Sequence, residues 1–274
     1  MALTFKALNI VKKIIRDMKI QNPNLGSINI GSLGYQELIL SIRDVSELLE
    51  LKICDDVHVR IDRYSTKLKQ NKRIHSIPLK DFYQICRNAA LQKKLNFDKL
   101  DLLAHDLQSE TFWFDTDYIY KCLGCSHAAI DVISHYGTEI IHDLNMPIAD
   151  SLRDKFDIAF DGGTMEHCFN PAQVLINMVN MTSRNGYVFH ISPMTYTNHG
   201  FYNFNPCLFH EFYSANGFHT TLMSQGMIYG DTPIKPIPHT AEYPLPPKNS
   251  LIFFTARKEQ EVVKIKYPIQ GIYL

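Results

Sequence analysis

The chain has 274 residues, with 28 Lys and Arg against 28 Asp and Glu, so its formal net charge is zero. This length suits one large domain with a substantial core, and the balanced charge argues against a protein that tracks nucleic acid mainly by releasing counterions. No segment approaches the ~20 consecutive apolar residues that span a bilayer, and MALTFKALNIVKKIIRDMK at the N-terminus lacks the apolar run of a signal peptide, so a soluble, cytoplasmic protein is expected, with no membrane or nucleic-acid partner.

Residues 1–20 read as a helix, with apolar residues at Leu8, Val11, Ile14, Ile15 and Met18. Asn22-Pro23-Asn24 ends it. Ser27 to Ile30 is a short strand that opens into Gly31-Ser32-Leu33-Gly34. Helical periodicity then runs from Tyr35 to Leu51. This strand, glycine turn and helix is the order that a nucleotide-type cofactor site requires. Residues 52–121 break the alternation of strands and helices. Helical patterns at 76–91, 95–107 and 112–123 make this part a helical insertion within one 1–274 domain. Its role is either a lid or packing element, or substrate selection or homodimerisation.

Alternation resumes with strands at 128–133 and 139–141, the second ending in His142-Asp143-Leu144-Asn145. The strand Phe156 to Phe160 ends on Asp161-Gly162-Gly163. A helix Pro171 to Met181 and a turn at Gly186 lead to the strand Tyr187 to Ile191. Asn198-His199-Gly200-Phe201-Tyr202 follows that strand. Parallel strands with such residues at their C-terminal ends form a binding crevice in an open α/β sheet. A helix over 208–216 precedes two edge strands, 219–227 and 250–256, read as an antiparallel pair. The Pro-rich loop between them, Pro233 to Pro247, is long enough to cover a site.

Six cysteines without a secretory signal default to free thiols. Cys122-Leu-Gly-Cys125 has redox or zinc-ligand spacing, but no second Cys/His pair stands at a suitable distance.

Five blocks in order carry a family resemblance: Asn29-Ile30-Gly31-Ser32-Leu33-Gly34; Leu123-Gly124 with Asp131; His142-Asp143-Leu144-Asn145; Asp161-Gly162-Gly163-Thr164-Met165-Glu166-His167; and His199-Gly200-Phe201-Tyr202. With these the chain resembles class I S-adenosylmethionine-dependent methyltransferases, and most of all a bacterial subgroup of uncharacterised members. The resemblance implies a Rossmann-like α/β fold: a seven-stranded sheet with helices on both faces and one antiparallel strand near the edge. It implies S-adenosyl-L-methionine as cofactor, with Gly31, Ser32, Leu33 and Gly34 near the methionine end. Asp131 would face the ribose hydroxyls, Asp143 and Leu144 the adenine, and Asp161 and Gly162 the wall beside the amino-acid part. Two departures stand out: Asn29 occupies the place of an acid, and about 95 residues separate the first block from Asp131 where a standard unit needs about 20.

On the acceptor side, Glu166 and His167 follow the fourth strand, and His has the intrinsic pKa of a general base. The competing role for the pair is a helix N-terminal cap. His199 and Tyr202 lie on the loop after the fifth strand, where substrate contact and loop packing compete. His190, inside an apolar strand, reads as a hydrogen-bonded core residue. No metal is expected, because the histidines lack close ligand spacing. The expected activity is methylation of a small molecule or glycan. Two alternatives stay open: a catalytically inactive binding or scaffolding member of the fold, and an enzyme using the same cofactor for another reaction.

Overall fold

The computed structural model describes residues 4–49, 58–60, 76–78, 81, 111–134, 139–227, 233–238 and 246–273. They fall into two compact units. One comprises 25–36 and 127–274; the other comprises 2–24 and 37–126.

The first unit carries an eight-stranded sheet. Its strands are β1 (Ile28–Leu33), β6 (Cys125–Asp131), β7 (Ile140–Ile141), β8 (Phe156–Asp161), β9 (Thr182–Pro193), β10 (Phe218–Gly226), β11 (Lys235–Pro236) and β12 (Leu251–Lys258). Their order is β11-β10-β12-β9-β8-β1-β6-β7. β1 pairs in parallel with β8, β8 with β9, and β6 with β7. β12 runs antiparallel to both β9 and β10. β12 is a reversed strand near the edge, as the resemblance implies, and the two-residue β11, antiparallel to β10, adds an eighth strand and a second reversed one. β1, β8 and β9 are nearly continuous apolar runs, FDIAFD in β8 and YVFHIS in β9, because a parallel sheet is covered on both faces.

Two helices fill the crossovers: α4 (Pro171–Met181) between β8 and β9, and α5 (Pro206–Ala215) between β9 and β10. Each begins with Pro at its first turn behind an Asn cap; Gln173 N–H donates to the Asn170 side chain and Cys207 N–H to the Asn205 side chain. Right-handed crossovers in one direction put both on one face of the sheet. There Val174, Leu175, Met178 and Val179 of α4 share a core with Phe209, Phe212 and Tyr213 of α5, and with Phe156, Val188 and Phe254 of the strands. The chain leaves β1 toward β6 and β7 on one side, and toward β8 and β9 on the other. The topological switch point thus lies between β1 and β8, where ligands of open α/β sheets bind.

The second unit has α1 (Phe5–Gln21), with Leu8, Val11, Ile14, Ile15 and Met18 buried as the periodicity predicts. Its other elements are β2 (Leu38–Ser41), α2 (Ile42–Leu48), β3 (His58–Arg60), β4 (Ser76–Pro78), β5 (Thr111–Phe114) and α3 (Thr116–Cys122). The four strands form a sheet in the order β2-β5-β3-β4. Three helical expectations are corrected here. Residues 38–41 are a strand, and α2 starts only at the Ser41–Asp44 capping box, in which each side chain bonds the other's backbone N–H. Likewise 111–114 is a strand, and α3 starts where the Asp115 carboxylate accepts Asp117 N–H. The run Leu38-Ile39-Leu40 fits either period, so pairing of β2 with β5 decided it. Residues 76–78, expected to open a helix over 76–91, are the strand β4; apart from Asp81, which is helical, the rest of that helix and the one expected over 95–107 lie outside the described residues. Cys122 is disulfide-bonded, so the expectation of free thiols fails at that position. Cys125, Cys168 and Cys207 are free.

Candidate active site

The C-terminal ends of β1, β6, β7, β8 and β9 bring most of the expected site residues to one edge. β1 ends at Leu33, and the chain turns at Gly34 with φ +68°, a left-handed conformation that favours glycine. Gly34 N–H donates to the Ile130 carbonyl at 2.7 Å. A Cβ on Gly34 would meet Thr164 Oγ1 at 2.7 Å. That hydroxyl donates to the Leu33 carbonyl at 2.6 Å, and Gln36 Nε2 donates to the same carbonyl at 2.8 Å. Thr164 and Gln36 therefore tie the β1 turn to the β8 turn, a role the sequence did not reveal.

Two expectations for the first block change. A Cβ on Gly31 would lie 2.5–2.8 Å from the Phe156 ring, so the protein's own core, not a ligand, demands glycine there. Asn29 sits near the start of β1, where its N–H donates to Asp157 at 2.9 Å. At about 3.3 Å per residue the strand carries it more than 10 Å from the turn. Two residues before the turn glycine stands Ser32, fully buried, its hydroxyl donating to the Gly34 carbonyl at 3.0 Å and bonded to His127 Nε2 at 2.8 Å. Leu33 is core as well.

Asp131 ends β6 and Asp143 follows β7; Asp131 pairs with Ile141 in the register, so the two residues stand at the ends of adjacent strands. Asp131 Oδ2 accepts Tyr35 N–H at 3.2 Å. Asp143 is exposed, and both bonds from Asn145 fall on its Oδ1. Those bonds hold its pKa below the usual carboxylate value, the His142 charge adding a lesser pull and slight burial opposing. The next residue, Leu144, is buried in the core, and its carbonyl accepts from Asn177 on α4.

Asp161 does not offer itself to a ligand. It is fully buried, and Oδ1 accepts the N–H groups of Thr164 and Met165 at 2.9 and 3.2 Å. Its Oδ2 lies 3.0 Å from His190 Nδ1, and His190 Nε2 lies 2.6 Å from the Tyr213 hydroxyl. A carboxylate acceptor makes Nδ1 the donor, leaving Nε2 to accept the Tyr213 proton. Burial, with the Asp161 charge second, holds the Tyr213 phenol well above its usual pKa, consistent with its donating. A buried carboxylate at a strand end needs such donors, so Asp161 shapes the turn and His190 is the hydrogen-bonded core histidine expected. Gly162 is buried within this turn.

The turn carries Met165–His167 as a single 3-10 turn. Phe201 N–H from the loop after β9 donates to the Glu166 carbonyl at 2.8 Å, and a Cβ on Gly200 would strike that carbonyl at 2.7 Å. This contact brings Glu166, His167 and His199 together: one ligand-type atom of each lies within 4.8 Å of the others. Glu166 Oε1 is 3.6 Å from His199 Nε2, and the two imidazoles lie 5.2 Å apart edge to face. Glu166 is fully buried, and neither carboxylate oxygen has a hydrogen-bond donor among the described residues. Burial, then repulsion from Asp161, pushes its pKa up from 4.5 to about 8. Burial lowers the His167 and His199 values, His199 also depressing His167. Tyr202 stands aside: its hydroxyl donates to the Phe169 carbonyl at 2.9 Å and its ring stacks with Phe204. The exposed rings of Phe169 and Phe201 meet edge to face at 6.0 Å beside it.

No family model matches the chain, and no curated protein matches it. Among solved structures it is similar to TehB from Haemophilus influenzae, 14% identical over 51% of this chain and 52% of that one, with a TM-score of 0.37. It is similar to Burkholderia thailandensis 1,6-didemethyltoxoflavin-N1-methyltransferase, solved with 1,6-didemethyltoxoflavin and S-adenosylhomocysteine: 14% identical over 52% of this chain and 64% of that one, TM-score 0.35. The match thus spans less than two thirds of either protein. A complex that contains the Haloferax volcanii Trm112 methyltransferase activator matches at 8% identity over 93% of this chain and 94% of that one, TM-score 0.39.

Proposed function

We propose that the chain is an S-adenosylmethionine-dependent methyltransferase acting on a small molecule or sugar. The observation that carries this is the placement of two groups of residues at one sheet edge around the switch point. Asp131 and Asp143 end adjacent strands on one side; Glu166, His167 and His199 gather on the other.

The bound cofactor would supply an electrophilic sulfonium methyl group. Asp131, at the end of the second strand in the sheet's winding, accepts the Tyr35 and Ile133 N–H groups, and a carboxylate at that strand end suits ribose hydroxyls. Asp143 keeps Oδ2 clear of the Asn145 bonds and suits an adenine amino group. The turn Ser32-Leu33-Gly34 and the Asp161-Gly162 turn are held by the protein's own bonds, which leaves backbone and shape as what they offer to the methionine end. With the cofactor bound, an imidazole of His167 or His199 would take the proton from the acceptor's oxygen or nitrogen as it receives the methyl group. Depressed pKa values keep these imidazoles neutral and able to accept. The Phe169 and Phe201 rings beside them suit the face of a ring or sugar.

Titration calorimetry of the purified chain with S-adenosylmethionine and S-adenosylhomocysteine tests this. Micromolar binding of both, weakened in Asp131→Ala, is expected. No binding by a folded chain would sink the reading in favour of a non-catalytic binding member.

A further inference from the structure

We propose that Glu166, His167 and His199 form a binding site for a divalent transition-metal ion. Among the described residues, neither carboxylate oxygen of the fully buried Glu166 has a donor, and His199 Nε2, a buried atom 3.6 Å from Glu166 Oε1, has no hydrogen-bond partner. The 3.6 Å between these atoms is too long for a hydrogen bond and too short for a water molecule to sit in line between them. It matches two ligands of one ion: bonds of about 2.0–2.2 Å across that gap subtend roughly 110–130° at the metal, tetrahedral or slightly wider.

His167 completes the set within 4.8 Å, a distance that closes by small side-chain rotation because His167 is exposed. The backbone already fixes the other two. The Phe201 N–H bond to the Glu166 carbonyl, and the glycine at 200 that permits it, clamp the two loops face to face. Two imidazoles and one carboxylate suit zinc, manganese, iron, cobalt or nickel rather than magnesium or calcium, which favour all-oxygen sites. Three protein ligands leave coordination positions open. The expectation of no metal looked for spacing along the chain; here adjacent residues on one turn meet a third from another loop, 32 positions on.

The site stands independently of the methyltransferase reading, but its use rests on that reading. An ion there would bind an acceptor hydroxyl, acidify it and orient it, taking over the part assigned above to a free imidazole.

The test is titration of the chelator-stripped full chain with Co²⁺, followed by visible absorption, and with Zn²⁺ and Mn²⁺ by calorimetry. One ion per chain is expected, with binding weakened about 100-fold or more in Glu166→Gln, His167→Asn and His199→Asn, since altering outer-shell partners alone costs about 10–100-fold. Circular dichroism checks that each variant is folded. His167 is exposed, so its variant keeps the test decisive should a change at the buried Glu166 prevent folding. No saturable binding by the wild type, or binding equally tight in the folded variants, would overturn the proposal. Metal binding without any S-adenosylmethionine binding would keep the site and sink the methyltransferase reading; the reverse would do the opposite.

Discussion

Replacing Glu166 by Gln is expected to change how stability depends on pH. The side chain is fully buried, with no hydrogen-bond donor to its carboxylate among the described residues, and its pKa rises from 4.5 to about 8. Between those values the folded chain holds a proton that the unfolded chain has released. Stability from this group is therefore complete below the unfolded value and drains away as pH rises toward about 8. One proton corresponds to about 1.4 kcal/mol per pH unit, so the metal-free wild type should lose roughly 2–3 kcal/mol between pH 5.5 and 7.5 through this group. Gln has the same shape and no proton to lose. Urea denaturation of chelator-treated wild type and Glu166→Gln at both pH values measures it. The variant's stability relative to the wild type should rise by about 2–3 kcal/mol between pH 5.5 and pH 7.5. The wild-type minus variant difference cancels most other titrations. Parallel pH profiles would show that Glu166 titrates normally and that its burial carries no charge penalty.

Gly31→Ala puts a methyl within 2.5–2.8 Å of the buried Phe156 ring and should cost about 1–3 kcal/mol in urea denaturation, partly recovered when combined with Phe156→Leu; a neutral effect would contradict the packing reason given for this glycine. Tyr213→Phe removes the 2.6 Å bond to His190 Nε2 inside a fully buried chain of donors and should cost about 1–2 kcal/mol, with cofactor titration unchanged; a loss of cofactor affinity instead would assign Tyr213 to the site. Lys258→Met removes an ammonium that is 4% exposed and that donates to the Thr182 and Val179 carbonyls at the end of α4 and to Asp154. Leaving those carbonyls without a donor should cost about 2 kcal/mol, and a change below about 0.5 kcal/mol would show that the ammonium is dispensable.

The sequence by itself determined the winding of the large sheet. Apolar runs such as FDIAF and YVFHI, separated by Pro-led helices and Gly turns, fit only buried parallel strands with crossovers, and the α4 bounds matched because Asn170-Pro171 is a local start signal. It also placed Asp131, Asp143, Glu166, His167 and His199 at strand ends, since a residue's position in a strand follows from the local pattern. Tertiary structure decided what each of them does there. Gly31 and Asp161 look like ligand positions in the chain, yet Phe156 fills the space at one, and Thr164, Met165 and His190 take up the other. The strands at 38–41 and 111–114 depended on a partner more than 60 residues away, because short apolar runs are compatible with either period until pairing selects one. The Glu166, His167 and His199 cluster depended on the contact of the Glu166 carbonyl with Phe201 N–H, a bond between two loops that no periodicity encodes.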